Sequence, residues 1–259
     1  MTDLLYGAHV QGGQDMVRGL RHAIGTGATA AQVFPGNPLS YEVCKRFTHE
    51  REMRALVDQL DLTVHASYFI ILTQPPGEKR TKSIEAAVKT LRWAEDIGAK
   101  RVVVHPGSTR DPKWEDYAVD WLYTVWREYD GTVDLLLETM PGQTSLGKSF
   151  TELLRLCFHS QLGICVDLTH SWSAGLTIGE LSELGPKGVD KAIRACHFNV
   201  PNPGVKQGSG IDKHSVGFHQ TDWTYHEIER LWRAFNRVPC ILEGTPCPER
   251  DYDLLRSWS

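Results

Sequence analysis

The chain has 259 residues, 41% of them hydrophobic and 23% charged, with a formal net charge of −4 at pH 7. That length suits one α/β barrel or two small domains, and either can bury a sizeable core. No global basic signature points to nucleic acid or to a membrane surface, although a local basic groove is compatible with the balance.

In chain order, Leu4 to Val10 reads as a first strand, stopped by Gly12-Gly13. Asp15 can cap a helix from Met16 to about Ile24. Ala30 to Phe34 is a second strand, and the turn cluster Pro35-Gly36-Asn37-Pro38 feeds a helix expected from about Tyr41 to Gln59. Leu62 to Ala66 is the third strand. After Pro75-Pro76-Gly77, Ile84, Val88 and Leu91 follow helical spacing in a helix from Thr81 to Ile97, closed by Gly98. Arg101 to His105 is the fourth strand, and a Trp/Tyr-rich helix from about Trp114 to Tyr129 leads to the fifth, Val133 to Glu138. A helix from about Phe150 to Phe158 precedes the sixth strand, whose apolar run Ile164-Cys165-Val166 sits directly before Asp167 and His170. Leu176 to Ile193 predicts a helix interrupted near Gly185-Pro186, before the seventh strand, Ala195 to Phe198. A Gly/Pro-rich loop from Pro201 to Gly217 carries Asp212 and His214, a helix runs from about Tyr225 to Phe235, and Val238 to Glu243 is the eighth strand.

Strands alternating with helices, and no linker long or polar enough to divide them, predict a single (β/α)8 barrel domain over residues 1–259. The cysteines Cys44, Cys157, Cys165, Cys196, Cys240 and Cys247 form no C-x-x-C pair, and Cys165, Cys196 and Cys240 lie in apolar runs. They read as reduced core residues. The N-terminus lacks a basic region followed by a long apolar core, and no stretch approaches the roughly 20 apolar residues of a bilayer span. A cytoplasmic protein is expected, with no membrane partner.

Strands three to eight end in His65, His105, Glu138, Asp167, His197 and Glu243. Successive separations are 40, 33, 29, 30 and 46 positions, against roughly 30 for one strand-helix unit of an eightfold barrel. A parallel barrel points all its strand ends to one mouth, so these six residues converge there. Imidazole and carboxylate donors without cysteine suit zinc, manganese or iron in a hydrolytic or Lewis-acid site. Asp167 and His170, three apart, reach neighbouring points from one turn; Asp212 and His214, two apart, point the same way if extended. Nine candidate ligands exceed what one metal uses, so two or three ions are implied. His9 ends the first strand and can line the mouth. His22, His49, His159 and His226 fall on predicted helices and read as exposed or structural.

The segments Gly7-Ala8-His9-Val10, His65-Ala66-Ser67-Tyr68, His105-Pro106-Gly107-Ser108, Leu137-Glu138-Thr139, Val166-Asp167-Leu168-Thr169-His170, His197-Phe198-Asn199, Asp212-Lys213-His214-Ser215 and Leu242-Glu243 resemble, in order, the signature blocks of the endonuclease IV family of apurinic/apyrimidinic endonucleases. The resemblance implies three zinc ions, with manganese able to replace zinc in part. His65, His105 and Glu138 would hold one; Glu138 would bridge to a second, held by Asp167, His197 and Glu243; His170, Asp212 and His214 would hold the third. It also implies cleavage on the 5′ side of an abasic site in double-stranded DNA by metal-activated hydroxide, leaving a 3′-hydroxyl. Glu138 would orient the hydroxide with Glu243 close by, in a monomer.

Family members wedge loop residues into the duplex and flip the abasic sugar into the pocket. Tyr68 and Phe69 match one wedge; the loop with Asn37, Leu39 and Tyr41 matches the other. Here the chain departs, with Leu39 where the family commonly has arginine and Tyr41 where it commonly has tryptophan. Leu39 is then either an apolar wedge between bases or an ordinary exposed loop residue. Val216 to Thr221 lacks the family's usual G-x-G pattern, and Ala66 replaces a usual aspartate that could orient His65. Two other readings use the same residues. A single-metal sugar isomerase or epimerase of the xylose-isomerase-like superfamily would need Glu138, Asp167, His197 and Glu243 alone, and a non-catalytic DNA-lesion binder would keep the fold without cutting.

Overall fold

The computed structural model describes residues 4–10, 16–43, 50–108, 110–142, 146–157, 161–189, 192–244 and 248–259. Gly12-Gly13, the expected cap Asp15, His49, His159, Cys44, Cys247 and the end of the helix expected to reach Phe158 lie outside these residues.

The apolar runs become eight parallel strands: β1 Tyr6–Val10, β2 Ala30–Val33, β3 Asp61–His65, β4 Arg101–Val104, β5 Asp134–Glu138, β6 Leu162–Asp167, β7 Ile193–His197 and β8 Cys240–Leu242. They hydrogen-bond in sequence order, and β8 pairs with β1, Tyr6 opposite Cys240, to close the barrel. The period of two in a strand then sorts the side chains. Val102 and Val104 join the large apolar cluster shared with the helices, whereas Val103, Leu136, Cys165 and Ala195 form a small cluster of their own. Val103 lies opposite Leu136, and Cys165 opposite Ala195. These four pack inside the barrel on the β4 to β7 side, as side chains do in an eight-stranded barrel. Two residues further along the same four strands, and so on the same side, stand His105, Glu138, Asp167 and His197. The apolar plug is the floor of the polar mouth.

Around the barrel run α1 Met16–Gly25, α2 Glu50–Val57, α3 Glu78–Asp96, α4 Trp114–Glu128, α5 Phe150–Leu156, α6 Leu168–Ser173, α7 Ile178–Val189, α8 Tyr225–Phe235 and α9 Glu249–Ser257. Helix α8 begins where a capping box dictates: Thr224 accepts from the Glu227 N–H, and the Glu227 carboxylate accepts from the Thr224 N–H. No helix among the described residues is long and apolar enough to cross a membrane.

Several expected boundaries move. The helix expected from Tyr41 is not formed at residues 41–43, where the Tyr41 ring instead leans on Phe69, with centroids 5.4 Å apart; among the described residues the helix is present over Glu50–Val57. Strand β8 starts at Cys240 rather than Val238, after Pro239, which has no N–H for a ladder. Helix α7 is not interrupted. Gly185, read from sequence as a breaker beside Pro186, serves helix packing: a Cβ there would lie 2.5 Å from the Ala234 carbonyl oxygen of α8. Two helices had no expectation at all. Helix α6 follows β6 without a loop, and α9 buries Tyr252 and Leu255 and packs Arg256 onto β1, its Nε donating to the Tyr6 hydroxyl at 2.7 Å.

Gly185→Ala forces α7 and α8 apart, so we expect a loss of about 1–3 kcal/mol in urea unfolding, as for other overpacked contacts.

Candidate metal centre

Glu138 ends β5 fully buried, and imidazoles surround it. His65 Nε2 lies 3.2 Å and His105 Nε2 3.0 Å from its Oε2; His197 Nδ1 lies 3.0 Å and His170 Nδ1 3.3 Å from its Oε1. The donor atoms fall into three groups, each within 4.8 Å: His65, His105 and Glu138; Glu138, Asp167, His197 and Glu243; and Asp167, His170 and His214. Glu138 joins the first two and Asp167 the last two. Asp212 is half exposed, yet its Oδ1 lies 3.1 Å from His170 Nε2 and 3.2 Å from His214 Nε2. All nine residues singled out from sequence therefore meet at one mouth.

Local chemistry aims them. Asp167 is the N-cap of α6, and its Oδ1 accepts from the His170 N–H at 2.7 Å, which sets the three-residue spacing of the pair. The Thr139 hydroxyl accepts from the Asp167 N–H at 2.8 Å, and the Thr139 carbonyl takes the His170 Nδ1 proton at 2.8 Å. His170 thus turns Nε2 outward. Asp212 and His214 arrive on the loop after β7, which is tied down by the Ser215 N–H to the Val200 carbonyl and by a bridge between Pro201 and His214. His65 gives its Nδ1 proton to the Ala66 carbonyl at 2.8 Å, so main chain orients this ring where the sequence lacks an aspartate.

Three partners went unrecognised in the sequence. Thr139 directly follows Glu138. Asn199 donates to Asp167 at 2.8 Å and to Glu243 at 3.2 Å, while its carbonyl accepts from the Glu243 N–H at 2.7 Å. Gln32, fully buried on β2, reaches His9, His197 and Glu243. The available signals were a lone amide in the apolar run Ala30 to Val33, and the spacing of two from His197 to Asn199.

Charge is heavily coupled. Burial alone would raise the pKa of Glu138, but His197 and His105 outweigh it and hold the carboxyl well below its usual range. Burial opposes ionisation of Glu243 too, yet His197 draws it down to about 2. Burial would lower His170, and Asp167, Asp212 and Glu138 raise it well above its ordinary value. His170 Nε2 and His214 Nε2 are buried without a hydrogen-bond partner, although both face the same Asp212 oxygen. Two ring nitrogens that converge on one carboxylate oxygen without a hydrogen bond to it fit a cation better than a shared proton. The residues present suit metal ions.

A cleft of about 1060 Å³ opens beside the centre, lined in part by His9, Phe34, Tyr68, Asp212, His214 and Glu243. Tyr68 stacks on His105 with centroids 5.0 Å apart, and burial with the nearby Glu243 and Glu138 raises its phenol to about 12. The two loops picked out for DNA meet here: the Ser67 hydroxyl and the Tyr68 N–H both donate to the Pro38 carbonyl, each at 2.9 Å. Leu39, Tyr68 and Phe69 expose 61%, 41% and 39% of their surface, a concentration of apolar side chains at the rim. Asn37 is exposed, and its Oδ1 is used inside the turn by the Leu39 N–H. His22 and His226 are exposed, as read from sequence.

Residues 20–246 match the xylose isomerase-like TIM barrel family, which defines the class of this barrel. Within that class, the probable endonuclease 4 of Trichlorobacter lovleyi is 28% identical over 97% of this chain and 95% of its own length. That of Mycobacterium marinum is 31% identical over 85% of each. The crystal structure of endonuclease IV from Thermus thermophilus matches with a TM-score of 0.82 and 26% identity, covering 98% of both chains. The chain belongs to the endonuclease IV family. A D-tagatose 3-epimerase-like protein also matches, with a TM-score of 0.73 and 18% identity over 97% of this chain and 96% of its own, a likeness of fold alone.

Asn199→Leu strips a buried acceptor from the Glu243 N–H and donors from two carboxylates. We expect the metal-free protein to lose about 1–3 kcal/mol in urea unfolding, the cost of buried groups left unpaired, with its circular dichroism spectrum unchanged.

Proposed function

We propose that this chain is a DNA-repair endonuclease that hydrolyses the phosphodiester on the 5′ side of an abasic site and leaves a 3′-hydroxyl, with zinc as its cofactor. The observation that carries this reading is the sharing of Glu138 and Asp167 among three convergent donor groups. A site for one ion has no use for all three. We assign His65, His105 and Glu138 to one zinc, Glu138, Asp167, His197 and Glu243 to a second, and His170, Asp212 and His214, with Asp167 beside them, to a third. Bound there, the ions would neutralise the phosphate, acidify a water and stabilise the leaving oxygen.

The protein's own groups supply the rest. Glu138, screened from bulk water, orients the attacking water. Glu243, ionised at neutral pH and 18% exposed at the cleft edge, accepts its hydrogen bond. Leu39, Tyr41, Tyr68 and Phe69 form an uncharged wedge against the bases flanking the lesion, and Asn37 keeps the Leu39 turn in shape. Residues 1–259 act as one barrel domain and as a monomer.

A single-metal epimerase would use the Glu138, Asp167, His197 and Glu243 group, and the fold likeness keeps that reading in view. It gives no role to His65, His105, His170, Asp212 or His214. A lesion binder without catalysis would rest on Leu39 and on the altered stretch around Phe218.

Metal analysis and an abasic-site duplex, used on one preparation, separate the three. We expect near three zinc per chain, strand cutting with a 3′-hydroxyl, and loss of cutting on prolonged chelation. One exchangeable manganese or magnesium would favour the epimerase; tight binding without cutting would favour the binder. Glu138→Gln and Glu243→Gln should each slow cutting by at least ~100-fold, the scale of losing one group that acts in the transition state. His170→Ala should release about one zinc, whereas Asp167→Ala should release more, since Asp167 belongs to two groups.

A further inference from the structure

Gln32 is a fully buried amide in a strand otherwise made of small apolar residues, and packing alone does not call for it. A buried amide without partners is unfavourable. Here each polar atom is engaged. Its Nε2 lies 2.7 Å from Glu243 Oε1 and 3.1 Å from His9 Nδ1, and its Oε1 lies 2.9 Å from His197 Nε2.

The chemistry of the partners allows one arrangement. An ionised carboxylate only accepts, so the amide NH2 must face Glu243. The carbonyl then faces His197, whose Nε2 must carry a proton. The second amide hydrogen points at His9 Nδ1, which must offer a lone pair. His9 then carries its own proton on Nε2. With its proton placed on Nε2, His197 turns Nδ1 toward Glu138 Oε1 at 3.0 Å, Glu243 Oε2 at 3.5 Å and Asp167 Oδ2 at 3.8 Å.

We propose that Gln32 is a positioning residue of the metal centre, fixing the Nε2–H tautomer of His197 and holding the Glu243 carboxylate so that both present their inner atoms to the same ion. The inference rests on the metal-centre reading above and adds to it a residue outside the nine donors. One side chain thereby couples two ligands from different strands, and His9 enters through Gln32 and not as a ligand.

The first test uses the unaltered, zinc-loaded protein. Long-range 1H–15N NMR of its histidines should show His197 protonated on Nε2 and metal-bound through Nδ1. Protonation on Nδ1 overturns the proposal, whatever any variant does. The second test is Gln32→Met, which keeps the volume and removes all three hydrogen bonds. Chelator competition should show one zinc bound about 10–100-fold more weakly, the usual cost of losing a partner behind a ligand, with the other two unchanged and circular dichroism native. A variant that melts earlier but holds every zinc as tightly as the parent reduces Gln32 to a structural role and overturns the proposal. Zinc uptake by the parent together with an indifferent variant defeats this inference alone; a parent that takes up no divalent metal defeats the metal-centre reading and this inference with it.

Discussion

A carboxylate cut off from water needs positive charge beside it, and Glu138 is such a carboxylate at the middle of the mouth. Imidazoles from β3, β4, β7 and α6 come within 3.3 Å of its oxygens. None of these can be supplied locally in sequence; each is delivered by a different strand-helix unit. Closing the barrel is therefore a condition for keeping that charge buried, and the charge in turn penalises any register that would turn a donor away. A shift of one residue in β5 would send Glu138 out among the helices and bring Leu137 into the mouth.

The layering explains how such a site can be rigid. Val103, Leu136, Cys165 and Ala195 pack beneath it as a buried apolar layer. Above them the donors sit on strand ends, and their partners are mostly main chain or short side chains: the Thr139 carbonyl, the Ala66 carbonyl and the Asn199 amide. Short partners have few rotamers to lose, which suits a site whose geometry must be set before an ion or a substrate arrives. The rim is different in kind, with exposed Leu39, Tyr68 and Phe69 on two loops pinned together at Pro38.

Much of this was legible in the sequence because a barrel repeats. Apolar runs at near-regular intervals, each ending in a histidine or carboxylate, give both the strands and the mouth, and β3 to β8 form where those runs lie. What escaped has a physical reason. Gln32, Asn199 and Thr139 are defined by what they touch across strands, which no one-dimensional pattern displays. Gly185 carries the composition of a breaker but performs a packing task visible only once α8 lies against α7. Helix α6 was hidden because Asp167 reads as a ligand type, while its second role as an N-cap depends on the His170 N–H. The C-terminal helix α9 follows the last strand-end donor, where no further periodic signal draws the eye, yet Arg256 ties it to Tyr6 across the seam of the barrel.

Asp212 and His214 differ from the other donors in how they are held. They ride on the loop between β7 and α8, which is bonded to helix α6 through the Gly208 N–H to the Trp172 carbonyl, the Gly210 N–H to the Ser173 carbonyl and the Ser173 hydroxyl to the Ile211 carbonyl, whereas Glu138, Asp167 and His197 stand in the strand ladder itself. Helix α6 is also the element that carries His170. The outer donors are therefore bound into one loop-helix unit, so any displacement of α6 shifts His170 and the segment bearing Asp212 and His214 together, while the donors on the ladder keep their register.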